Sequence, residues 1–424
     1  MTKYARIIIT ALLLTTVLLL ASCGGGTETP ATDPVTDPVT DAVTEAPAKD
    51  IIISDGEKCY YRTIVQSGCA TTISDVANDL KATCYDKTGH QLWISRDGSE
   101  DPAENEILIG TTNRPESAQI AEGLKENQYR VCFVGTKLVV AGGSRGAVVE
   151  GAKLLLKNYF EVDGGVIKLP ENLDITGEID MKMATDLDSG WNDLVFEASN
   201  NIDLKYQIWM PANYNADKEY PCILYMHSAG VRCDDNSHIN TGEAKFLRNF
   251  ESGKYANECI IIAPCCPTTH KWVTVNTWKE LKYDFVNTKT ADYMTATLEL
   301  FADYREKLAI DDNRLYTYGM SMGGFAVWDL LARNPGVFAA AIPVAAAGDP
   351  TTASTMGKTA IWIFHGTADE AVPYQSAINM HEALTAAGRT DVKFTTFEGA
   401  GHGIWAKTAD TAGLFDWLFS QKLD

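Results

Sequence analysis

The sequence predicts a doubly wound α/β fold: a mostly parallel sheet over residues 190–424, with a smaller α/β domain over residues 51–180 ahead of it. Three observations predict it. From residue 190 onward, short β-type runs alternate with helix-like stretches. Most of those runs are nearly continuous in apolar residues, as strands covered by helices on both faces are, whereas one-sided sheets alternate. One run, Leu315–Tyr318, turns through a glycine-flanked serine directly into a helical stretch.

The candidate strands of the larger domain are Leu204–Met210, Cys222–His227, Ile260–Ala263, Arg314–Tyr318, Ala339–Val344, Ile361–His365 and Val392–Phe397. Between them fit helices at Asp292–Leu308, Met322–Arg333 and Gln375–Ala387, with Ala409–Phe419 as the last. The smaller domain reads as strands Glu106–Gly110, Tyr129–Val134 and Lys137–Ala141 and helices near Ile73–Lys81 and Ala147–Tyr159. Its turn Gly142-Gly143-Ser144-Arg145-Gly146 could cradle a phosphate, but a tight strand-to-helix turn needs glycine for backbone reasons alone, and the spacing is not that of a P-loop. Arg114 and Glu116 read as surface residues of a loop.

The N-terminal end carries Lys3 and Arg6 followed by the apolar run Ile7–Ala21, the pattern of a secretion signal over residues 1–22. Leu20-Ala21-Ser22-Cys23 resembles a bacterial lipobox, which makes Cys23 the expected lipidation point and the cell surface the expected location. Residues 23–50, rich in Thr, Pro and acidic residues and without an aromatic, read as a disordered tether that gives the folded part reach. The formal charge of -20 becomes -22 once Lys3 and Arg6 are removed, and no basic stripe offers itself to nucleic acid. Of ten cysteines, nine remain beside Cys23; their spacing matches no zinc or haem motif, and their pairing is not legible from it.

The chemistry is carried by Gly319-Met320-Ser321-Met322-Gly323. Glycines on both sides let a serine sit on a sharp strand-to-helix turn, where its hydroxyl is presented as a nucleophile. The first helical amide, that of Met322, points to where an oxyanion would form. A serine hydroxyl needs a base, and the base needs an orienting acid; in this arrangement both follow the serine in sequence. Asp369, after the strand Ile361–Phe364, is the expected acid, with Glu370 as its rival, and His402, in Glu398-Gly399-Ala400-Gly401-His402-Gly403, is the expected base. His227-Ser228-Ala229-Gly230 ends an early strand where a second oxyanion donor belongs: the Ala229 amide, with Ser228 as runner-up. His238, His270, His365 and His381 read as structural, and Asp234 and Asp235 as a turn. No metal or organic cofactor is implied.

These pieces form an α/β-hydrolase arrangement. PCILYMHSAGVRCDDN, IIAPCCP, RLYTYGMSMGGFAVWDLLARNPGVFAAAIPVAAAGDP, IWIFHGTADEAVP and EGAGHGIW resemble the esterase group that contains feruloyl and acetylxylan esterases and related predicted peptidases. Ser228, and Cys233 beyond it, stand where that group usually has glycine. The stretches ILIGTTNRPES and LVVAGGSRGAVVEGAKLLLKNYF resemble the non-catalytic N-terminal domain of α-glucuronidases and β-hexosaminidases. The resemblance implies a serine esterase that removes acetyl or hydroxycinnamoyl groups from plant polysaccharide through an acyl-enzyme. Trp272, Trp278, Tyr374 and Trp405 are the candidate substrate contacts. Two alternatives stand beside it: a serine peptidase of prolyl-oligopeptidase type, against which the missing propeller argues, and an inert surface carbohydrate-binding protein, against which the intact Ser, Asp and His argue.

Overall fold

In a computed structural model the described residues are 49–161, 164–179, 187–252 and 254–423. The secretion signal, Cys23 and nearly all of the tether lie outside them. No helix among the described residues is long and apolar enough to cross a membrane.

The first body is a six-stranded sheet with a two-stranded ribbon beside it. Its strands are β1 (Asp50–Ser54), β2 (Arg62–Val65), β3 (Trp93–Arg96), β4 (Glu106–Ile109), β5 (Gln128–Val134), β6 (Lys137–Gly142), β7 (Ile167–Pro170) and β8 (Asp174–Glu178). The sheet order is β3-β2-β4-β6-β5-β8, parallel from β3 to β6, while β1 and β7 pair in the ribbon. Helix α1 (Thr71–Thr88) is twice the length the sequence suggested, and stops where Gly89 adopts a left-handed conformation and donates its N–H to Tyr85 O. Helices α2 (Pro115–Ala121) and α3 (Arg145–Leu155) follow, the latter running on into a π-helical turn at Leu156–Phe160.

Arg114 is not on the surface. It is 2 % exposed, and its guanidinium donates to both oxygens of Glu106, which is wholly buried. Arg62 donates to Glu106 Oε1 at 2.7 Å, and Lys137 approaches Oε2 at 3.5 Å. A charge taken out of water must be matched where it lies, so three cations surround one carboxylate. Burial alone would raise the Glu106 carboxyl; hydrogen bonds from Arg114 and Arg62 outweigh it and hold it at about 2.

The second body is an eight-stranded sheet of β9 (Gly190–Glu197), β10 (Asp203–Met210), β11 (Tyr220–Met226), β12 (Ile260–Pro264), β13 (Ile310–Met320), β14 (Ala340–Val344), β15 (Ala360–Gly366) and β16 (Val392–Phe397). The order is β9-β10-β12-β11-β13-β14-β15-β16; β10 runs against its neighbours, and every pair from β12 to β16 is parallel. All residues of β11, β12, β14 and β15 are buried, which is why their sequences do not alternate. The helices α4 (Lys245–Glu251), α5 (Asp292–Lys307), α6 (Met322–Arg333), α7 (Tyr374–Ala386), α8 (Trp405–Ala409) and α9 (Leu414–Ser420) cover both faces, α5 to α7 on one and α4, α8 and α9 on the other. The single last helix expected at Ala409–Phe419 is instead two, because Gly413 takes a left-handed conformation ahead of α9.

The glycine-rich turn before α3 fastens the two bodies. Glu197 of β9 accepts from the Arg145 and Gly146 amides at 2.6 and 2.8 Å, and the Arg145 side chain donates to Asp203 at 2.7 Å. The anion at this helix terminus is therefore a carboxylate of the chain itself.

Glu106→Gln leaves two guanidinium groups against a neutral amide and should destabilise the protein by about 3–5 kcal/mol in denaturant unfolding. The Glu106 carboxyl is depressed in the folded state, so its stabilisation is present above the ordinary carboxylate range and lost as pH falls from about 4.5 toward 2. The unfolding free energy of the variant should vary less over that interval than that of the parent.

Candidate active site

β13 ends at Met320 and α6 begins at Met322, so one residue makes the whole turn between them. That residue, Ser321, has φ 54° and ψ -122°, a conformation that costs a non-glycine residue energy and must be enforced by its surroundings. They do enforce it. The Ser321 amide donates to Val344 O at 2.8 Å, and Phe325 N donates back to Ser321 O. A Cβ on Gly323 would stand 1.9 Å from Met226 O, and one on Gly319 would stand 2.2 Å from Gly323 O. The glycines are there because the helix start lies directly on the end of β11.

The two downstream loops meet over this turn. His402 Nε2 lies 2.9 Å from Ser321 Oγ, and His402 Nδ1 lies 2.8 Å from Asp369 Oδ2. Because an ionised carboxylate only accepts, the imidazole proton belongs on Nδ1, which leaves Nε2 to accept from the serine. Asp369 is fixed from every side: Oδ1 accepts the Ala371 and Val372 amides at 2.9 Å each, and buried His365 stands 3.2 Å from Oδ2. Burial would raise this carboxyl; the hydrogen bonds from His365 and His402, and that of the Val372 amide, hold it well below the usual range. Glu370, the rival acid, is exposed. The loops are also sewn to each other, Ala368 N donating to Ala400 O and Gly399 N to Thr367 Oγ1.

The loop after β11 is built on His227. Its Nε2 accepts from Cys266 N at 2.8 Å, so its proton lies on Nδ1, which donates to Ser228 O at 2.8 Å. Burial pushes this imidazole down to about 4, so it stays neutral. Ser228 Oγ donates to Glu243 and accepts from Gly230 N, which shapes the loop. Ala229 opens a 3-10 turn immediately after it, while Met322, as the first residue of α6, has no partner for its N–H inside the helix. Gly323, one residue beyond Met322, lies against the Met226 and His227 carbonyls, so α6 starts beside the strand end from which this loop leaves. Asp235, next to this loop, accepts from Ser237 N and closes a turn.

Of the four aromatic candidates, Trp272 is wholly buried, and its indole N–H donates to His227 O at 3.0 Å. It props the loop from behind, a correction to its expected place at the mouth. Trp278 is half-buried, edge-to-face with Phe325 of α6 at 5.2 Å; Tyr374 is half-buried between His365 and Phe394; Trp405, half-buried, follows His402 closely and packs on Gly403. Sequence reasoning left His365 as a residue that packs or hydrogen-bonds in the strand end, and passed over Glu243. A histidine four residues before the acid, at a strand end, was a usable signal for the first; for the second there was none.

A Ser, His and Asp in relay on a strained strand-to-helix turn, at the carboxyl ends of parallel strands, define a hydrolase of the α/β-hydrolase fold. Residues 272–415 match the model of the dienelactone hydrolase family. A solved structure described as a thermostable esterase is 26 % identical, with a TM-score of 0.50, over 62 % of this chain and 70 % of that one. A solved ferulic acid esterase is 16 % identical over 55 % of this chain and 98 % of its own, with a TM-score of 0.42. Dipeptidyl peptidase 4 of Bos taurus is 23 % identical over 234 residues, 48 % of this chain and 29 % of the peptidase, so the chain spans less than a third of that relative's length. Fold and relay together make the protein a hydrolase.

Gly323→Ala forces a carbon into the Met226 carbonyl and should leave the protein largely insoluble or unfolded, whereas Gly242→Ala, which meets nothing within 4 Å, should change stability by less than about 0.5 kcal/mol. Soluble yield and denaturant midpoints of the two variants check this.

Proposed function

We propose that the protein is a lipid-anchored serine esterase of the cell surface that removes acetyl or hydroxycinnamoyl groups from plant polysaccharide. The hydrogen-bonded chain from Ser321 through His402 to Asp369 carries the reading of mechanism. Ser321 Oγ attacks the ester carbonyl while His402 Nε2 takes its proton; Asp369 keeps the proton on Nδ1 and stabilises the imidazolium. The amides of Met322 and Ala229 receive the oxyanion, each contributing about 3 kcal/mol to the transition state. His402 then returns the proton to the leaving alcohol, and water, activated by the same base, releases the acid from Ser321.

The ester class is supported by the similarity to the thermostable esterase, and the polymer by the expected lipid anchor at Cys23 and the acidic tether. Trp278, Tyr374 and Trp405 are the proposed contacts for a sugar or phenolic ring; each is half-buried and stands on or against an element that carries the site. Peptide cleavage by the same relay is the second reading, favoured by the similarity to dipeptidyl peptidase 4.

An organophosphonate probe should label the protein once and fail on Ser321→Ala, which should lose about 10⁵ to 10⁶ in kcat. Acetylated xylan and methyl ferulate should be turned over far faster than a peptide amide; the reverse order sinks the esterase reading. Asp369→Asn should still bind substrate while kcat falls about 10⁴-fold, because the amide favours the wrong tautomer of His402.

A further inference from the structure

Behind the loop that carries Ala229, three side chains converge that the mechanism does not use. The ligating atoms of Cys233, His238 and Cys265 lie within 4.8 Å of one another. Cys233 Sγ is 2.8 Å from Cys265 Sγ and 3.7 Å from His238 Nδ1. Cys265, just past β12, is buried, and buried His238 packs at a tilt against His227 with ring centroids 4.8 Å apart.

Two occupancies suit such a group: a soft metal ion or a sulfur–sulfur bond. A tetrahedral metal with metal–sulfur bonds of about 2.3 Å holds its thiolates about 3.7 Å apart, nearly an ångström more than the separation here. A disulfide requires neither the wider spacing nor a lasting charge. A second pair, Cys59 and Cys84, also interacts thiol to thiol, so four of the nine cysteines among the described residues stand in twos.

We propose that Cys233 and Cys265 form a disulfide in the mature protein, and that this bond positions the loop that presents the Ala229 amide to substrate. The two thiols lose their protons and are oxidised as the sulfurs bond. A disulfide-bearing oxidant, protein or small molecule, takes up the two electrons and both protons as its own S–S bond opens to two thiols. The bond closes a separation of 32 residues. Until it forms, polar contacts hold the stretch between Ala229 and Ser237: Arg232 to the Ala229 and His270 carbonyls, Asn236 to Tyr206 O, and Lys205 to Asp234 O. The consequence for turnover rests on the oxyanion reading given above; the bond itself does not.

The test takes the exported, full-length protein purified without reductant. Denatured alkylation followed by non-reducing peptide mapping should yield one cross-linked species that joins the Cys233 and Cys265 peptides, lighter than their sum by two hydrogen atoms. Reduction with a phosphine, or Cys265→Ser, should lower kcat for an aryl acetate by about tenfold or more while KM moves by less than about twofold. Reoxidation should restore the parent and not the variant. Recovery of both residues as alkylated thiols, or release of a bound metal that frees both thiols on chelation, overturns the bond. A bond present with kcat unchanged on its reduction overturns the positioning role. If the organophosphonate fails to label Ser321 in oxidised and reduced protein alike, the functional reading has failed, and the mass of the cross-linked peptide still decides the bond.

Discussion

The approach of the α6 backbone to the end of β11 is the constraint on which the rest of the site depends. Gly323 lies so near the Met226 carbonyl that no side chain fits between them, and Gly319 lies as near to Gly323 O. Two positions without a Cβ thus let a helix start at the surface of the sheet rather than above it. Ser321 must then turn the chain within a single residue, and its unfavourable φ and ψ are the geometric result. The same approach sets the distance between the first amide of α6 and the loop after β11. Nucleophile and first helical amide are therefore located by one backbone contact, while the loop after β11 is held by the side chains of His227, Ser228 and Trp272.

Against that fixed turn the acid and base loops are located electrostatically. Asp369 is desolvated enough to matter and hydrogen-bonded enough to remain charged: two amides hold one oxygen and two imidazoles stand at the other. The arrangement makes His402 a directed base, because the only proton that satisfies the carboxylate is the one on Nδ1. His227 solves the same problem with the opposite device. No carboxylate among the described residues meets it; an amide and a carbonyl specify its tautomer, and burial keeps it neutral. One histidine is oriented for chemistry and the other for architecture, and the difference lies wholly in their partners.

Much of this was legible in the sequence where one physical requirement dominates. A buried strand reads as an apolar run, so the strands of the larger sheet from β10 to β16 were found within a few residues, and α6 and β16 at their observed ends. Strand β9 was missed, because an edge strand with mixed burial has no such run. The reading failed where partners come from far along the chain. Arg114 looks like a loop residue until Glu106, Arg62 and Lys137 are placed around it, and Trp272 looks like a surface aromatic until His227 O accepts its N–H. Gly413 divided a helix that periodicity alone would have continued. In the site, the residue types that chemistry demands were readable, and the place of His365 at a strand end before the acid was a signal for its role; the Glu243 carboxylate against Ser228 had none.

The small body shows how one local pattern can carry two meanings, and why the partner decides between them. Glycines and a serine between a strand and a helix leave amides pointing outward, and amides at a helix start attract whatever anion reaches them. Here the anion is Glu197, at the end of β9, with Asp203 of β10 holding the Arg145 side chain beside it. Thr72 at the start of α1 donates to the other oxygen of Asp203, and Asn201, in the turn between β9 and β10, donates to Gly68 O. A motif that elsewhere recognises a ligand is used internally, to seat the β9–β10 hairpin against the smaller sheet. β10 pairs in turn with β12, and Cys265, one residue beyond β12, contacts the loop that carries Ala229. Side-chain hydrogen bonds to β9 and β10, the pairing of β10 with β12 and the contact of Cys265 with Cys233 therefore link the small body to the loop that carries Ala229, which gives that body a mechanical place in the molecule.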